Sequence, residues 1–225
     1  MAEGRPLVWT RAARVYREKG AGGVWFGALS KAGYRRLVLL QVPLSEPVPA
    51  VSAGTEADIR PLAAGDATAF AALGQGDAGV FARRVGLGHE CWGAWVSGRL
   101  RHVAWSALHE AWVEYLRCRV VLDDGVAYAY RAYTEPAYRG LGLGTAVQSA
   151  SLKALQARGH RFVLAGVLPD NPWAFTPWLR TGYRRVGVVR ALGAGGRPRV
   201  FVRLHRGGRT AVGWRFERAS GDELA

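Results

Sequence analysis

The 225 residues are 49% apolar and 21% charged, with 30 glycines and 10 prolines, a composition that excludes intrinsic disorder, collagen and coiled coil. At this length one folded domain of ordinary size with an extension is expected. Against 17 acidic side chains stand 31 basic ones, a formal charge of +14 in which Lys19, Lys31 and Lys153 are the only lysines; such a surface suits nucleotide phosphates, nucleic acid or an anionic membrane, but charge that only keeps the chain soluble would look the same.

Residues 6 to 19 place Val8, Trp9, Ala12, Val15 and Tyr16 on one helical face, with Arg11, Arg14, Arg17 and Lys19 largely elsewhere, which predicts a basic amphipathic helix. Gly20 to Gly23 stops it, Val24, Trp25, Phe26 and Leu29 suggest a short second helix, and Arg36 to Leu44 reads as an apolar strand. Residues 45 to 55 are rich in Pro, Ser and Ala and read as a linker. The expected organisation is therefore a basic extension over 1–44, a linker over 45–55, a main domain over 56–207 and a tail over 208–225 with room for an extra strand.

Beyond residue 56 the pattern predicts a strand at Ala57 to Leu62, helices within Ala64 to Leu73 and Gly79 to Val85, and a hairpin. Its arms, Cys91 to Val96 and Arg99 to Leu108, are joined by Ser97-Gly98. A strand within Val113 to Leu122 and another at Val126 to Thr134 flank the Asp123-Asp124-Gly125 turn, so three or four antiparallel neighbours are expected in succession. Then follow a helix from Leu143 to Arg158, a strand from Phe162 to Val167, a helix from Pro172, and strands at Tyr183 to Leu192 and Val200 to Leu204. Cys91 and Cys118 lie in no metal or redox spacing and read as inert core thiols, so no metal site is expected. The N-terminus lacks the order of a secretory signal and no apolar run reaches membrane length, which predicts a cytoplasmic location.

The most informative string is Thr134-Glu-Pro-Ala-Tyr-Arg-Gly-Leu-Gly-Leu-Gly-Thr145, set between a strand and a helix. Glycines at 140, 142 and 144 let backbone approach a ligand, and consecutive N–H groups at a helix N-terminus cradle an anion such as a diphosphate. The phosphate loop G-x-x-x-x-G-K-[ST] is absent, and G-x-G-x-x-G fails because position 145 is Thr. The string does resemble the pyrophosphate-binding motif R/Q-x-x-G-x-G/A of the GNAT superfamily of coenzyme A-dependent acyltransferases, with Arg139, Gly142 and Gly144 at its fixed positions and Pro136-Ala-Tyr138 as the usual approach. The element order over about 150 residues is similar too.

That resemblance implies a mixed α/β fold with a central mixed sheet behind the N-terminal helical extension, and acetyl-CoA as the cofactor. It further implies that Arg139, Gly140, Leu141, Gly142, Leu143, Gly144 and Thr145 hold the diphosphate, and that the backbone of Ala132, Tyr133 and Thr134 pairs with the pantetheine amides. Asn171, eleven residues before Gly182-Tyr183, falls where family members contact the pantetheine or phosphate portion, although Asn171-Pro172 is also a good helix start.

By the same spacing the family's usual Tyr acid falls at Trp178, whose indole N–H donates a hydrogen bond but has no useful acidity. Pro177 predicts a short or kinked helix, and Trp173, Phe175 and Trp178 either wall an apolar acceptor pocket or fill the core. For the general base, regular alternation along the Val126 strand puts Arg131, Tyr133 and Glu135 on one face and Tyr128, Tyr130 and Thr134 on the other. Glu135 is the first candidate, ahead of Glu114, His109, Glu90 and the Asp123-Asp124 pair, each of which also reads as a solubilising charge. The expected activity is direct transfer of an acetyl group from acetyl-CoA to an amine acceptor in a ternary complex. The alternative is a catalytically weak binding module of the same fold that holds coenzyme A and a nucleic acid, membrane or protein partner. The acceptor amine is not named by the sequence; a homodimer and an anionic contact through the basic N-terminal segment are the partners it leaves open, beside the reading of that segment as a solvated or intramolecularly packed helix.

Overall fold

The computed structural model describes residues 29, 33–169, 172–193, 198–205 and 213–218. The helix expected over residues 6–19, most of the one after it, and Asp170 and Asn171 lie outside the described residues.

Strand β1 (Tyr34–Pro43) is buried continuously from Leu37 to Val42, as expected of an apolar run covered on both faces. It is no extension. It lies inside an eight-stranded sheet of order β10-β9-β1-β8-β7-β4-β3-β2, antiparallel to β8 (Phe162–Val167) through Val38 opposite Val167 and to β9 (Arg184–Leu192) through Val38 opposite Val188. The remaining strands are β2 (Asp58–Pro61), β3 (Glu90–Val96), β4 (Arg99–Ala107), β7 (Val126–Thr134) and β10 (Arg199–Leu204).

Residues 45–55 are not a free linker. They run along helix α3 (Leu143–Ala157), with Leu44 and Val48 buried. Gln156 donates to the Leu44 and Glu46 carbonyls at 2.7 and 2.9 Å, Ser149 donates to the Pro49 carbonyl at 2.6 Å, and the Gly54 N–H donates to the Leu141 carbonyl at 2.8 Å. The strap thus ties β1 to the start of β2 across the whole helix.

The single strand expected within Val113 to Leu122 is two, β5 (Glu110–Val113) and β6 (Cys118–Leu122), and neither joins the main sheet. They form a second sheet with β11 (Trp214–Arg218), of order β11-β6-β5. Ala111, Val113, Val120 and Leu122 pack there against Leu37, Leu39, Tyr128 and Val189 of the main sheet. β4 consequently pairs with β7 directly.

The opposite face of the main sheet is covered by α3 and by α4 (Pro172–Arg180), with Val38, Leu40, Leu152, Leu155 and Val163 between the layers. Helices α1 (Ala67–Ala72) and α2 (Ala78–Gly86) enclose a Phe70, Phe81 and Trp105 cluster, with ring centroids 5.3 to 5.7 Å apart. Asp77 caps α2 by accepting from the Val80 N–H at 2.7 Å.

Candidate active site

β7 and β8 are the only parallel pair of the main sheet among the described residues, registered from Val126 opposite Phe162 to Ala129 opposite Ala165. Beyond that point pairing stops although both strands continue, so the sheet opens into a gap. β7 also carries a bulge. Val103 of β4 faces Tyr133 and Trp105 faces Tyr130, leaving Arg131 and Ala132 together opposite Ala104, with Arg131 at φ 45°. The bulge breaks the regular alternation expected from the sequence. Tyr130 and Tyr133 pack against the same aromatic cluster, whereas Thr134 turns to the α3 side and bonds His102.

The glycine turn follows directly. Pro136–Tyr138 makes one 3₁₀ turn, Gly140 and Gly142 take φ of 84° and 74°, and α3 starts at Leu143 with Gly142 as its N-cap. Those left-handed values are what glycine permits and side chains resist. Among the described residues no carbonyl accepts from the N–H groups of residues 140–145, whereas the Ala146 N–H donates to the Gly142 carbonyl at 3.0 Å. A run of free donors at a helix N-terminus is an anion cradle. Arg139 adds an exposed cation whose Nε donates to the Thr134 carbonyl at 3.3 Å.

His102, which the sequence reading missed, lies directly beneath this turn. It is 2% exposed, its Nδ1 is 2.7 Å from Thr134 Oγ1, and its enclosed Nε2 has no partner. A Cβ on Gly144 would stand 3.1 Å from His102 Cε1, so the third glycine leaves room for the imidazole. Burial lowers the His102 pKa to about 4. In the unfolded chain the ring takes a proton as pH falls through about 6.5, and in the fold only near 4, so its share of stability is complete above 6.5 and lost on acidification through that window. The loss amounts to about 3 kcal/mol. His102→Gln is therefore expected to flatten part of the decline in urea midpoint between pH 7 and pH 4; an unchanged decline would place the acid sensitivity elsewhere, for example in His89 or His160, which burial also depresses.

A cavity of about 410 Å³ fills the gap, with Thr134, Gly144, Gln148, Trp178, Tyr183 and Tyr130 in its wall. Gln148 accepts from the Thr181 hydroxyl at 3.0 Å. The enclosed Tyr183 hydroxyl faces Gln148, and burial pushes its pKa up against the opposing effect of that neighbour. Trp178 meets Tyr183 edge to face at 4.8 Å. Phe175 is 8% exposed and belongs to the core beneath α4, with the Arg185 guanidinium 4.6 Å over its ring.

The structure brings Ala132, Thr134, Gly144 and Trp178 together at this cavity, but not Glu135. That carboxylate accepts from Arg101 Nη1 at 2.5 Å and lines a separate cleft with Tyr133, because past the bulge Tyr133 and Glu135 continue along the face away from α3. Glu114 pairs with Arg131 and Glu90 with Arg158, and neither His109 nor the Asp123-Asp124 turn reaches the cavity. Its described lining holds no carboxylate.

Residues 78–188 match the Acetyltransferase (GNAT) family. No curated protein matches the sequence. Similar solved structures include a GNAT-family protein from Novosphingobium aromaticivorans, with 20% identity over 69% of this chain and 63% of that one at a TM-score of 0.50. Another is the GCN5-related glucosamine N-acetyltransferase region of a fungal multi-domain GH3 β-N-acetylglucosaminidase, with 15% identity over 76% of this chain and 22% of that one at a TM-score of 0.53. The chain spans less than two thirds of the length of either protein, and at such identity the likeness is one of fold. With a splayed parallel strand pair feeding a glycine turn at a helix N-terminus, and the family match across those elements, the chain belongs to the GNAT superfamily.

Proposed function

We propose that the protein is an N-acetyltransferase that moves the acetyl group of acetyl-CoA directly onto an amine. The observation that carries this reading is the continuity between the free N–H groups of residues 140–145 and the cavity opened where β7 and β8 part. The turn fits a diphosphate in donor set and in backbone shape, with Arg139 as the adjacent cation. Ala132 and Thr134, unpaired to β8, offer backbone groups along the slot leading from the turn into the sheet. Acetyl-CoA supplies a thioester whose thiol, with a pKa of ~8.5 like other thiols, departs largely without an acid.

Direct transfer is favoured over a covalent cysteine intermediate. Cys91 and Cys118 are both buried, burial pushes both thiols well above their ordinary range, and neither lines the cavity. What the chain contributes is position. Holding an amine and a thioester in one dry gap is worth ~7 to 11 kcal/mol, more than the ~10²- to 10⁴-fold of acid-base help. The test is thiol release from acetyl-CoA against a panel of primary amines. Release with at least one amine is expected; coenzyme A binding without release across the panel would favour the binding-module alternative.

Trp178, which the resemblance puts at the position of the family's usual acid, packs on Tyr183 in the cavity wall. Trp178→Phe is expected to keep turnover within about tenfold of the parent, below the range that loss of a true acid costs. Thiol release measured at several pH values checks this, and a loss of several hundredfold with cofactor affinity intact would make the indole a participant.

A further inference from the structure

Tyr130 stands in the wall between two spaces. It lines the cavity, and on its other side it lines a cleft together with Arg84, His89, Glu110, Trp112 and Arg131. Its hydroxyl oxygen is 2.5 Å from His89 Nδ1, and His89 Nε2 is 2.9 Å from the Glu110 carbonyl oxygen. A carbonyl only accepts, so the ring proton of a neutral His89 is on Nε2 and Nδ1 presents a lone pair. The Tyr130 hydroxyl therefore donates to His89, leaving its own oxygen lone pairs free.

We propose that Tyr130 and His89 form the proton-accepting pair for the acceptor amine. This rests on the acetyl-transfer reading above. The amine nitrogen forms its bond to the acetyl carbon as the carbon–sulfur bond breaks and the electron pair leaves on the thiolate. The surplus proton on nitrogen passes to Tyr130 Oη while the tyrosine proton passes to His89 Nδ1. The imidazolium then returns a proton to the thiolate or to solvent, so that amide and thiol are the net products and both side chains are restored.

Several features hold the pair ready. His89 is 8% exposed, and its ring meets Tyr130 edge-on at 5.6 Å. Tyr128 stacks on Tyr130 from the neighbouring strand position at 6.2 Å. The charged and titratable groups around His89 are Arg83 and Arg84 on α2, His109 and Glu110 at the start of β5, Arg119 on β6, which donates to the Glu110 carboxylate at 2.9 Å, and Tyr130 with Arg131 beyond it on β7. Burial, Arg84 and His109 lower the imidazole pKa, while the bond to the Glu110 carbonyl and the Glu110 charge oppose them. Burial raises the Tyr130 phenol. Both groups thus rest uncharged at neutral pH. One other hydroxyl of the cavity wall faces an imidazole, Thr134 Oγ1 at 2.7 Å from His102 Nδ1, but His102 is 2% exposed and burial lowers its pKa to about 4, which makes it the poorer proton acceptor.

The experiment is kcat against pH, from 5 to 9, with an amine that supports thiol release in the panel, for the parent chain, His89→Gln and Tyr130→Phe. Protonated His89 offers no lone pair, so the parent kcat is expected to fall on the acid side of ~6.5. Each variant should lower kcat by ~10²- to 10⁴-fold and abolish that acid limb, with the KM for acetyl-CoA nearly unchanged. A merely structural role for His89 would lower stability or raise KM without removing the limb. Parent-like kcat with the limb intact in His89→Gln overturns the proposal. Should His89→Gln fail to fold, Tyr130→Phe, which keeps the ring and its contacts with His89, Trp105 and Tyr128, decides in the same way. A parent chain that binds coenzyme A by calorimetry but releases no thiol with any amine would instead remove the acetyl-transfer reading, and the pair with it.

Discussion

Gly142→Val is expected to weaken coenzyme A binding at least tenfold while the protein stays folded. Gly142 sits at φ 74° as the N-cap of α3, a conformation that costs a β-branched residue about 1 to 3 kcal/mol. Each ~1.4 kcal/mol is a factor of ten in affinity when relieving the strain moves the donors. The direction of the added carbon matters. A Cβ at Gly142 points towards the strap, 3.7 Å from Ala53 Cα and the Ser52 carbonyl oxygen, so valine's outer methyls collide with that backbone and the turn must move away. The substitution therefore acts by displacing the N–H cradle and not by placing a side chain in the path of the diphosphate. At Gly140 a Cβ meets nothing within 4 Å, so Gly140→Ala should cost less, and Arg139→Ala, which removes an exposed cation, less than Gly142→Val. Calorimetric titration of coenzyme A into each variant, with thermal melting as the check on folding, measures the series. Unchanged affinity in a folded Gly142→Val protein would detach the cofactor from this turn.

Removal of residues 1–43 is expected to abolish cooperative folding. The deletion takes away β1 from between β8 and β9, stripping two neighbours of their hydrogen-bonded partner. With it go Leu37, Val38, Leu39, Leu40 and Val42, all buried. At about 1.5 to 3 kcal/mol per fully buried side chain, the lost burial approaches the 5 to 15 kcal/mol that holds a typical domain together. Leu39→Ala, at a fully enclosed position, is the gentler probe and should cost about 2 to 5 kcal/mol. Urea denaturation followed by tryptophan fluorescence reads both. A native-like transition in the shortened chain would be incompatible with β1 as an interior strand.

Sequence pattern and structure agree where local chemistry decides the outcome. Ser97-Gly98 closes the β3–β4 hairpin with both residues at positive φ, 50° and 72°, as a two-residue turn requires. The apolar period and Gly159 bound α3 to within two residues, and the glycine turn lies where its spacing put it. Disagreement arises where distant segments decide. The run Arg36 to Leu44 is apolar on both faces, which already signals an interior strand, but nothing local says that its neighbours lie more than a hundred residues away. Pro, Ser and Ala in residues 45–55 describe an irregular backbone correctly, yet irregular backbone bonded along a helix is not a hinge. The bulge at Arg131 involves no glycine to announce it, and one extra residue there is enough to send Thr134 to the α3 side while Glu135 faces away. His89, His102 and Tyr130 were missed as a group because a lone histidine in an apolar stretch usually fills a core; the signal available was a pair of histidines near two strands ending at one gap.

The interior place of β1 also bears on the order in which the chain can become a protein. Ribosomal synthesis makes β1 before the other described strands and its partners β8 and β9 more than a hundred residues later, so an apolar segment, Leu-Val-Leu-Leu-Gln-Val, waits unpaired while residues 44–161 are added. At ~5 to 20 residues per second that wait lasts several seconds or longer, far beyond the ~1 to 10 μs in which a hairpin such as β3–β4 closes. The long separation makes closure of the sheet a high-contact-order event. Until it occurs the segment is a short, uncharged, strand-prone sequence of the kind that pairs with copies of itself. Yield of native protein is thus expected to depend on synthesis rate and chaperone supply more than on the stability of the finished fold.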